Sequence, residues 1–171
     1  MLRDLEELTL ISDSDFTLTK EGLRNVAYNI SRSFRTLKRL KLDYGVGLDI
    51  GEKKLLTEQT YQSLEQLHLF LQEPQLRLKS QFIALKQLVL MHDCRKTTDE
   101  DFQRLITSVF NCSLNGLQEL VLIFDFCPLI SSKGFEIFQS GTWTHLENLE
   151  TLKLEFSECH KIDSFERVFF L

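Results

Sequence analysis

Residues 85–90 read LKQLVL, and this spacing of leucines, L-x-x-L-x-L, occurs six times along the 171-residue chain. The other copies are LEELTL at 5–10, LKRLKL at 37–42, LEQLHL at 64–69, LQELVL at 117–122 and LETLKL at 149–154. Their first leucines lie 32, 27, 21, 32 and 32 residues apart. Recurrence at such a period indicates a stack of similar units, each built around one strand.

The leucine spacing predicts a parallel sheet with one apolar face. The second and third leucines of each motif lie two residues apart, so in a strand they point to the same side. One strand cannot bury them alone, whereas neighbouring strands share a continuous core. Parallel strands also need long return connections, and the 32-residue units are long enough to contain a helix in that connection.

The clearest helical pattern follows LKQLVL. Phe102, Leu105, Ile106 and Val109 fall at i, i+3, i+4 and i+7, and Thr98 is placed to cap the helix. Related patterns predict helices after Thr19, after Ser131 or Ser132, and after Asp163. The middle is less regular. There we expect a loop at 43–51, a short helix near 52–61, and room for only a turn or two of helix within 70–84.

The motifs and the helix starts LTKEGL (18–23), TTDEDF (97–102) and ISSKGF (130–135) resemble the leucine-rich repeat family. Within it, the long units are similar to the ribonuclease-inhibitor-like and cysteine-containing subtypes. The resemblance implies an α/β solenoid of about six repeats, with a curved parallel sheet on the concave side and helices on the convex side. Residues 1–171 are expected to form a single leucine-rich-repeat domain. Its apolar ends predict a fragment of a longer solenoid, or ends that partners cover.

Three cysteines recur at nearly the same place in successive units. Cys94, Cys127 and Cys159 follow their strands by similar distances, and a thiol there suits a buried ladder because it is small and weakly polar. Close pairs such as C-x2-C, which are typical of zinc sites, are absent from the sequence. We therefore predict a core role for these thiols and no metal.

The run His92-Asp93-Cys94 has the residue types of a catalytic set. Catalysis needs the side chains of a nucleophile and its base to meet, whereas three consecutive residues at the end of a strand point in different directions. Asp93 is also the register equivalent of Asp125, which has no neighbouring His. We predict no catalytic residues, and the sequence contains no phosphate-binding or dinucleotide fingerprint that would indicate a cofactor.

The fifth and seventh places of each motif should point away from the leucines, onto the concave surface. In the middle units these places are apolar or aromatic instead of polar, which is typical of a protein interface. The predicted partner-binding residues are His68, Phe70, Val89, Met91, Val121 and Ile123. Charged residues flank them at Lys41, Asp43, Lys153 and Glu155.

Composition narrows the class of partner. The net charge is −5 without a basic block, so nucleic acid is not expected as a partner. The apolar stretches are too short to cross a bilayer, so membrane insertion is not expected. Without a signal-like N-terminus, four cysteines predict reduced thiols and a cytoplasmic or nuclear protein.

The favoured function is a non-enzymatic scaffold that binds another protein, in a larger assembly, through its concave face, with its uncapped ends as a second candidate surface. No small-molecule substrate is expected. Two alternatives come from the resemblance. F-box-type ubiquitin ligases recognise substrates with similar cysteine-containing repeats, and the Ran-type GTPase-activating protein shares this repeat class and uses an arginine in a loop. No local motif in this sequence marks Arg95 or another arginine for that role.

Overall fold

A computed structural model describes residues 5–12, 25, 36–44, 60–71, 81–111, 114–139 and 146–162. Its strands are β1 (Glu7–Ser12), β2 (Arg39–Tyr44), β3 (Thr60–Tyr61), β4 (Gln66–Leu71), β5 (Gln81–Phe82), β6 (Gln87–Asp93), β7 (Glu119–Asp125) and β8 (Thr151–Ser157). Six of them form one parallel sheet in the order β1-β2-β4-β6-β7-β8. The short strands β3 and β5 form a second, two-stranded parallel sheet.

The leucine motifs lie in register in the large sheet. Leu88 of β6 pairs with Leu67 of β4 and with Leu120 of β7, and all three are 0% exposed. The first leucine of that motif, Leu85, is equally buried at the entrance to β6. The predicted parallel sheet with one leucine face is therefore confirmed, and this face forms the core.

The helix predicted after Thr98 is confirmed as α1, which runs from Asp99 to Phe110. Thr98 accepts a hydrogen bond from the Asp101 backbone N–H, and the Asp101 carboxylate accepts one from the Thr98 N–H. This reciprocal cap satisfies two N–H groups that the first helical turn leaves without partners. The four predicted apolar residues of α1 are buried against the sheet.

The helix predicted after Ser131 or Ser132 is a 3-10 helix, Ser132–Gln139. Its start is tied to the start of α1, because the Asp99 carboxylate accepts hydrogen bonds from the Ser131 N–H and hydroxyl, both at 2.7 Å. A Cβ atom at Gly134 would lie 2.8 Å from Asp99 Oδ1, so the close approach requires glycine there. In the described part of the chain, neither helix has the length and apolar character needed to cross a bilayer.

Two predictions for the middle of the chain need correction. The short helix expected near 52–61 does not extend to its end, because Thr60 and Tyr61 are extended and pair with Gln81 and Phe82. The loop expected at 43–51 starts later, because Asp43 and Tyr44 belong to β2. Residues 45–51 and the helices expected after Thr19 and Asp163 lie outside the described residues, apart from Asn25, which is helical.

Neighbouring residues on opposite faces of β7 test this arrangement. Leu122 is 0% exposed in the core, whereas Ile123 is half-buried on the other face. Leu122→Ala should lower the free energy of unfolding by about 2–5 kcal/mol because it leaves a cavity in the core. Ile123→Ala should cost less than half as much. Urea denaturation of both variants measures this, and equal losses would contradict the face assignment.

The bridge between the two helix starts also contributes stability. Removing the Asp99 carboxylate leaves the Ser131 N–H and hydroxyl without their acceptor, so Asp99→Ala should cost about 1–3 kcal/mol. Glu100→Ala is the matched control, since Glu100 is exposed and pairs only with Arg104 on the same helix. The control should change stability by less than about 0.5 kcal/mol. A thermal melt that does not separate the two variants would refute a structural role for the bridge.

Candidate functional site

The register brings the predicted binding residues into two rows on the face of the sheet opposite the leucine core, hereafter the outer face. His68, Val89 and Val121 are directly paired across β4, β6 and β7. Phe70, Met91 and Ile123 are paired in the same way one step further along the strands. The sequence placed these six residues correctly relative to one another, because adjacent L-x-x-L-x-L motifs stack without an offset.

The two rows differ in exposure. Val89 and Val121 are 9% and 7% exposed, so they are buried although they lie on the outer face. The flanking strands lie about 4.8 Å away, close enough for their side chains to cover a short valine. His68, Phe70, Met91 and Ile123 are half-buried. The surface that a partner can touch is therefore formed mainly by the row Phe70, Met91 and Ile123, which we call the apolar row.

Charged side chains end the apolar row on both sides. On β2, which neighbours β4, Asp43 lies beside Phe70 at the end of the apolar row. Lys41 lies beside His68 in the other row. On β8, Glu155 pairs with Ile123 in the sheet, and its carboxylate forms an ion pair with Lys153 two residues earlier. The apolar row is therefore three strands wide and is interrupted by Asp43 on β2, although Ile11 beyond it on β1 is again apolar and is 69% exposed.

A chain of polar side chains crosses the outer face nearer the start of the strands. Gln87 Nε2 donates to the Glu119 carboxylate, which leaves Gln87 Oε1 as the acceptor for His68 Nε2 at 3.3 Å. As a hydrogen bond, this contact requires a proton on His68 Nε2. The three polar side chains are only partly buried, and each forms a hydrogen bond with the next one across three strands.

Two aspartates lie side by side where β6 and β7 end. Asp93 and Asp125 are direct partners in the sheet, and both project onto the outer face beyond the apolar row. Arg95 compensates one of them, with its guanidinium 3.0 Å from Asp93 Oδ2 and its backbone N–H donating to Oδ1. Asp125 accepts a hydrogen bond from the Ser157 hydroxyl. Among the described residues, no lysine or arginine forms an ion pair with Asp125, whereas Asp93 has Arg95.

The loop beyond this rim contains an exposed aromatic residue that the sequence did not single out. Phe126 has φ 53, a left-handed conformation that is uncommon for a bulky residue, and it is 44% exposed. The Arg95 guanidinium lies over its ring at 5.5 Å. Glu158 has the same φ at the equivalent place in the next unit. In the unit of β6 the cysteine directly follows the strand. In the units of β7 and β8 one additional residue lies between the strand and its cysteine, and Phe126 and Glu158 are these additional residues.

The extra residue brings the three cysteines into equivalent turns. Backbone N–H groups three residues later donate to the carbonyls of Cys94, Cys127 and Cys159 at 2.9, 3.3 and 3.3 Å. Cys94 and Cys127 are 0% exposed and Cys159 is half-buried, which confirms the predicted core ladder for the first two and shows partial exposure for the third.

Contact between the thiols and burial together disfavour their ionised form. A hydrogen bond with the Cys94 thiol, followed by burial, raises the pKa of Cys127 far above its ordinary value. Burial, followed by the hydrogen bond with Cys127, raises the pKa of Cys159 to about 12. Because the thiolate is the nucleophile and the metal ligand, these shifts disfavour reaction of Cys127 and Cys159 at neutral pH.

The His92-Asp93-Cys94 run does not form a catalytic set. His92 is 1% exposed on the core face, where its Nε2 lies 2.8 Å from the Thr97 hydroxyl. Asp93 projects onto the outer face instead. His92 pairs in register with Phe124 and meets its ring edge-on at 6.5 Å. The imidazole thus replaces a core aromatic ring, which the alignment of the strands shows and the isolated tripeptide does not.

Comparison with known proteins identifies no family for this chain. No family model matches the sequence, and no curated protein matches it significantly. The function proposed below is therefore argued from the geometry of the outer face.

Thiol reactivity tests the cysteine ladder. In a Cys112→Ala variant, Ellman's reagent at pH 8 should react with Cys94, Cys127 and Cys159 at least about tenfold more slowly than with free cysteine. Cys94 and Cys127 are fully buried, and the raised pKa values of Cys127 and Cys159 leave little thiolate. The pKa of the Cys159 thiol is near 9.0 in the unfolded chain and about 12 in the folded chain. The folding stability that this difference contributes is complete below pH 9 and is lost as the pH rises towards 12. Rapid labelling of the folded variant at pH 8 would contradict the ladder.

Proposed function

We propose that this chain is a leucine-rich-repeat solenoid that binds a partner protein through its outer face, which forms the concave side of the solenoid. The observation that carries the proposal is the apolar row of Phe70, Met91 and Ile123, half-buried on three adjacent strands and bounded by charge. An apolar centre with a polar margin is the usual anatomy of a protein interface.

The order of strands supports the solenoid. The six leucine motifs occupy neighbouring strands in the order in which they occur along the chain. Each motif therefore contacts the motifs before and after it, which is the pattern of a stacked repeat protein. In such a fold the outer side chains of the sheet contribute little to the core, so their identity is available for recognition.

The apolar character of the three residues in the apolar row is the second support for the proposed interface. A sheet face in contact with water normally carries polar side chains between its core residues. Here three large apolar side chains lie in direct register on the outer face, although they are not part of the leucine core. No observation on the described residues favours a ubiquitin-ligase or a GTPase-activating role over this one.

Affinity isolation from cell extract followed by mass spectrometry tests the proposal. A Phe70→Asp/Met91→Asp/Ile123→Asp variant should recover the partner at least about tenfold less well than the wild type. Binding of the partner would then bury three carboxylates at the centre of the interface and remove their hydration. Met91→Thr/Ile123→Thr is a milder second variant that keeps residues favourable for strands and should give a smaller loss in the same direction.

The matched control is Ile83→Asp. Ile83 is 64% exposed but lies outside the six-stranded sheet, so the substitution adds one carboxylate elsewhere on the surface, compared with three in the outer-face variant. Its recovery of the partner should equal that of the wild type. Circular dichroism and a thermal melt establish that each variant is folded. Unchanged recovery by a folded outer-face variant would refute the proposed interface.

A further inference from the structure

We infer that the outer face binds an amphipathic helix of the partner, laid across β4, β6 and β7, with basic side chains directed at Asp93 and Asp125. This inference rests on the proposed function and specifies the chemistry of the partner. It is carried by three features of the face: the spacing of the apolar row, the carboxylates along its two long margins, and the charged columns at its two ends.

The spacing of the apolar row matches a helix. Phe70, Met91 and Ile123 stand on adjacent strands, so the row advances about 4.8 Å per residue and about 9.6 Å from end to end. Helical residues at i, i+4 and i+7 share one face and span about 10.5 Å. An extended segment presents same-face residues about 6.7 Å apart, so three of them span about 13 Å and overrun the row.

The margin at the ends of the strands selects basic side chains. Asp93 and Asp125 lie one step beyond Met91 and Ile123 on the same face, about 6.7 Å further along the strands. Of the two carboxylates, only that of Asp93 has an arginine partner among the described residues. A lysine or arginine on the flank of a docked helix would reach this pair and give Asp125 the ion pair that Arg95 already gives Asp93.

The opposite margin does not offer a comparable attraction for acidic groups. It consists of the chain His68, Gln87 and Glu119, whose hydrogen bonds are made to one another and whose only carboxylate is Glu119. An acidic flank would thus meet negative charge on both margins of the apolar row. For the same reason a phosphate-rich polymer is disfavoured on this face.

The charged columns at the ends limit the length of the contact. Lys41 and Asp43 on one side and the Lys153–Glu155 ion pair on the other stand where a fourth apolar side chain would have to be buried. Burying an ion pair against an apolar residue costs its hydration. The helix is therefore anchored by about two turns where it crosses β4, β6 and β7.

Designed helical peptides are suitable probes. One peptide carries leucine at i, i+4 and i+7 and lysine at i+1 and i+5 on one flank. Its partner peptide has glutamate at i+1 and i+5 and is otherwise identical. Fluorescence anisotropy with the intact chain should show the lysine peptide binding at least about tenfold more tightly at low salt. Added salt should narrow the difference, because the flank charges are exposed.

Two double variants assign the preference to residues. Asp93→Asn/Asp125→Asn should reduce the difference between the peptides to about twofold or less, since the acidic margin is removed. The matched control, Glu100→Gln/Glu136→Gln, neutralises two exposed carboxylates on the helices and should leave the difference unchanged. Met91→Thr/Ile123→Thr should weaken both peptides, because it removes the apolar anchors that they share.

The outcomes separate this inference from the proposed function. Equal binding of the two peptides, a preference for the glutamate peptide, or a preference that survives Asp93→Asn/Asp125→Asn would overturn the basic helix. Absence of binding by either peptide would also overturn it. In each case, loss of partner recovery by the outer-face variants would still uphold the interface itself. If those variants recover the partner normally, both proposals fail together.

Discussion

The in-register pairing of parallel strands is the constraint on which the structure depends. Leu88 lies between Leu67 and Leu120, and this alignment brings together leucines that are 21 and 32 residues apart in the chain. A slip of one residue would turn Leu88 and its equivalents to the outer face and bring Val89 and its equivalents into the core. Burial of the leucines on the core face therefore fixes the position of every residue on the outer face.

The proposed interface follows from this constraint, because alternate residues must stand in rows whether or not they are needed for folding. In the middle strands, side chains of the neighbouring strands cover Val89 and Val121, which lie nearer the start of the strands. The row of Phe70, Met91 and Ile123 remains accessible. Beyond it, the same register forces Asp93 beside Asp125 despite their like charge. The proposed basic helix would supply for Asp125 the cation that Arg95 already supplies for Asp93.

Leucine periodicity was sufficient to predict the six strands, their order and their register, and the helix after Thr98 followed from local capping and a 3.6-residue period. Features that depend on contacts between distant residues were not predictable. The burial of His92 against Thr97 and Phe124, the tie from Asp99 to Ser131, and the pairing of β3 with β5 are of this kind. Within the candidate site, the sequence predicted the apolar residues but not the burial of Val89 and Val121, since the neighbouring strands determine it.

Cysteine cross-linking on the outer face tests the register most directly. Met91 and Ile123 are direct partners on adjacent strands, about 4.8 Å apart, which is within the Cα separation that a disulfide bridges. Met91 and Val121 are diagonal neighbours about 8 Å apart, which is beyond it. Under mild oxidation, Met91→Cys/Ile123→Cys should form the disulfide, identified by peptide mass mapping, and Met91→Cys/Val121→Cys should not. Formation of the diagonal disulfide in place of the direct one would contradict the register and, with it, the proposed binding face.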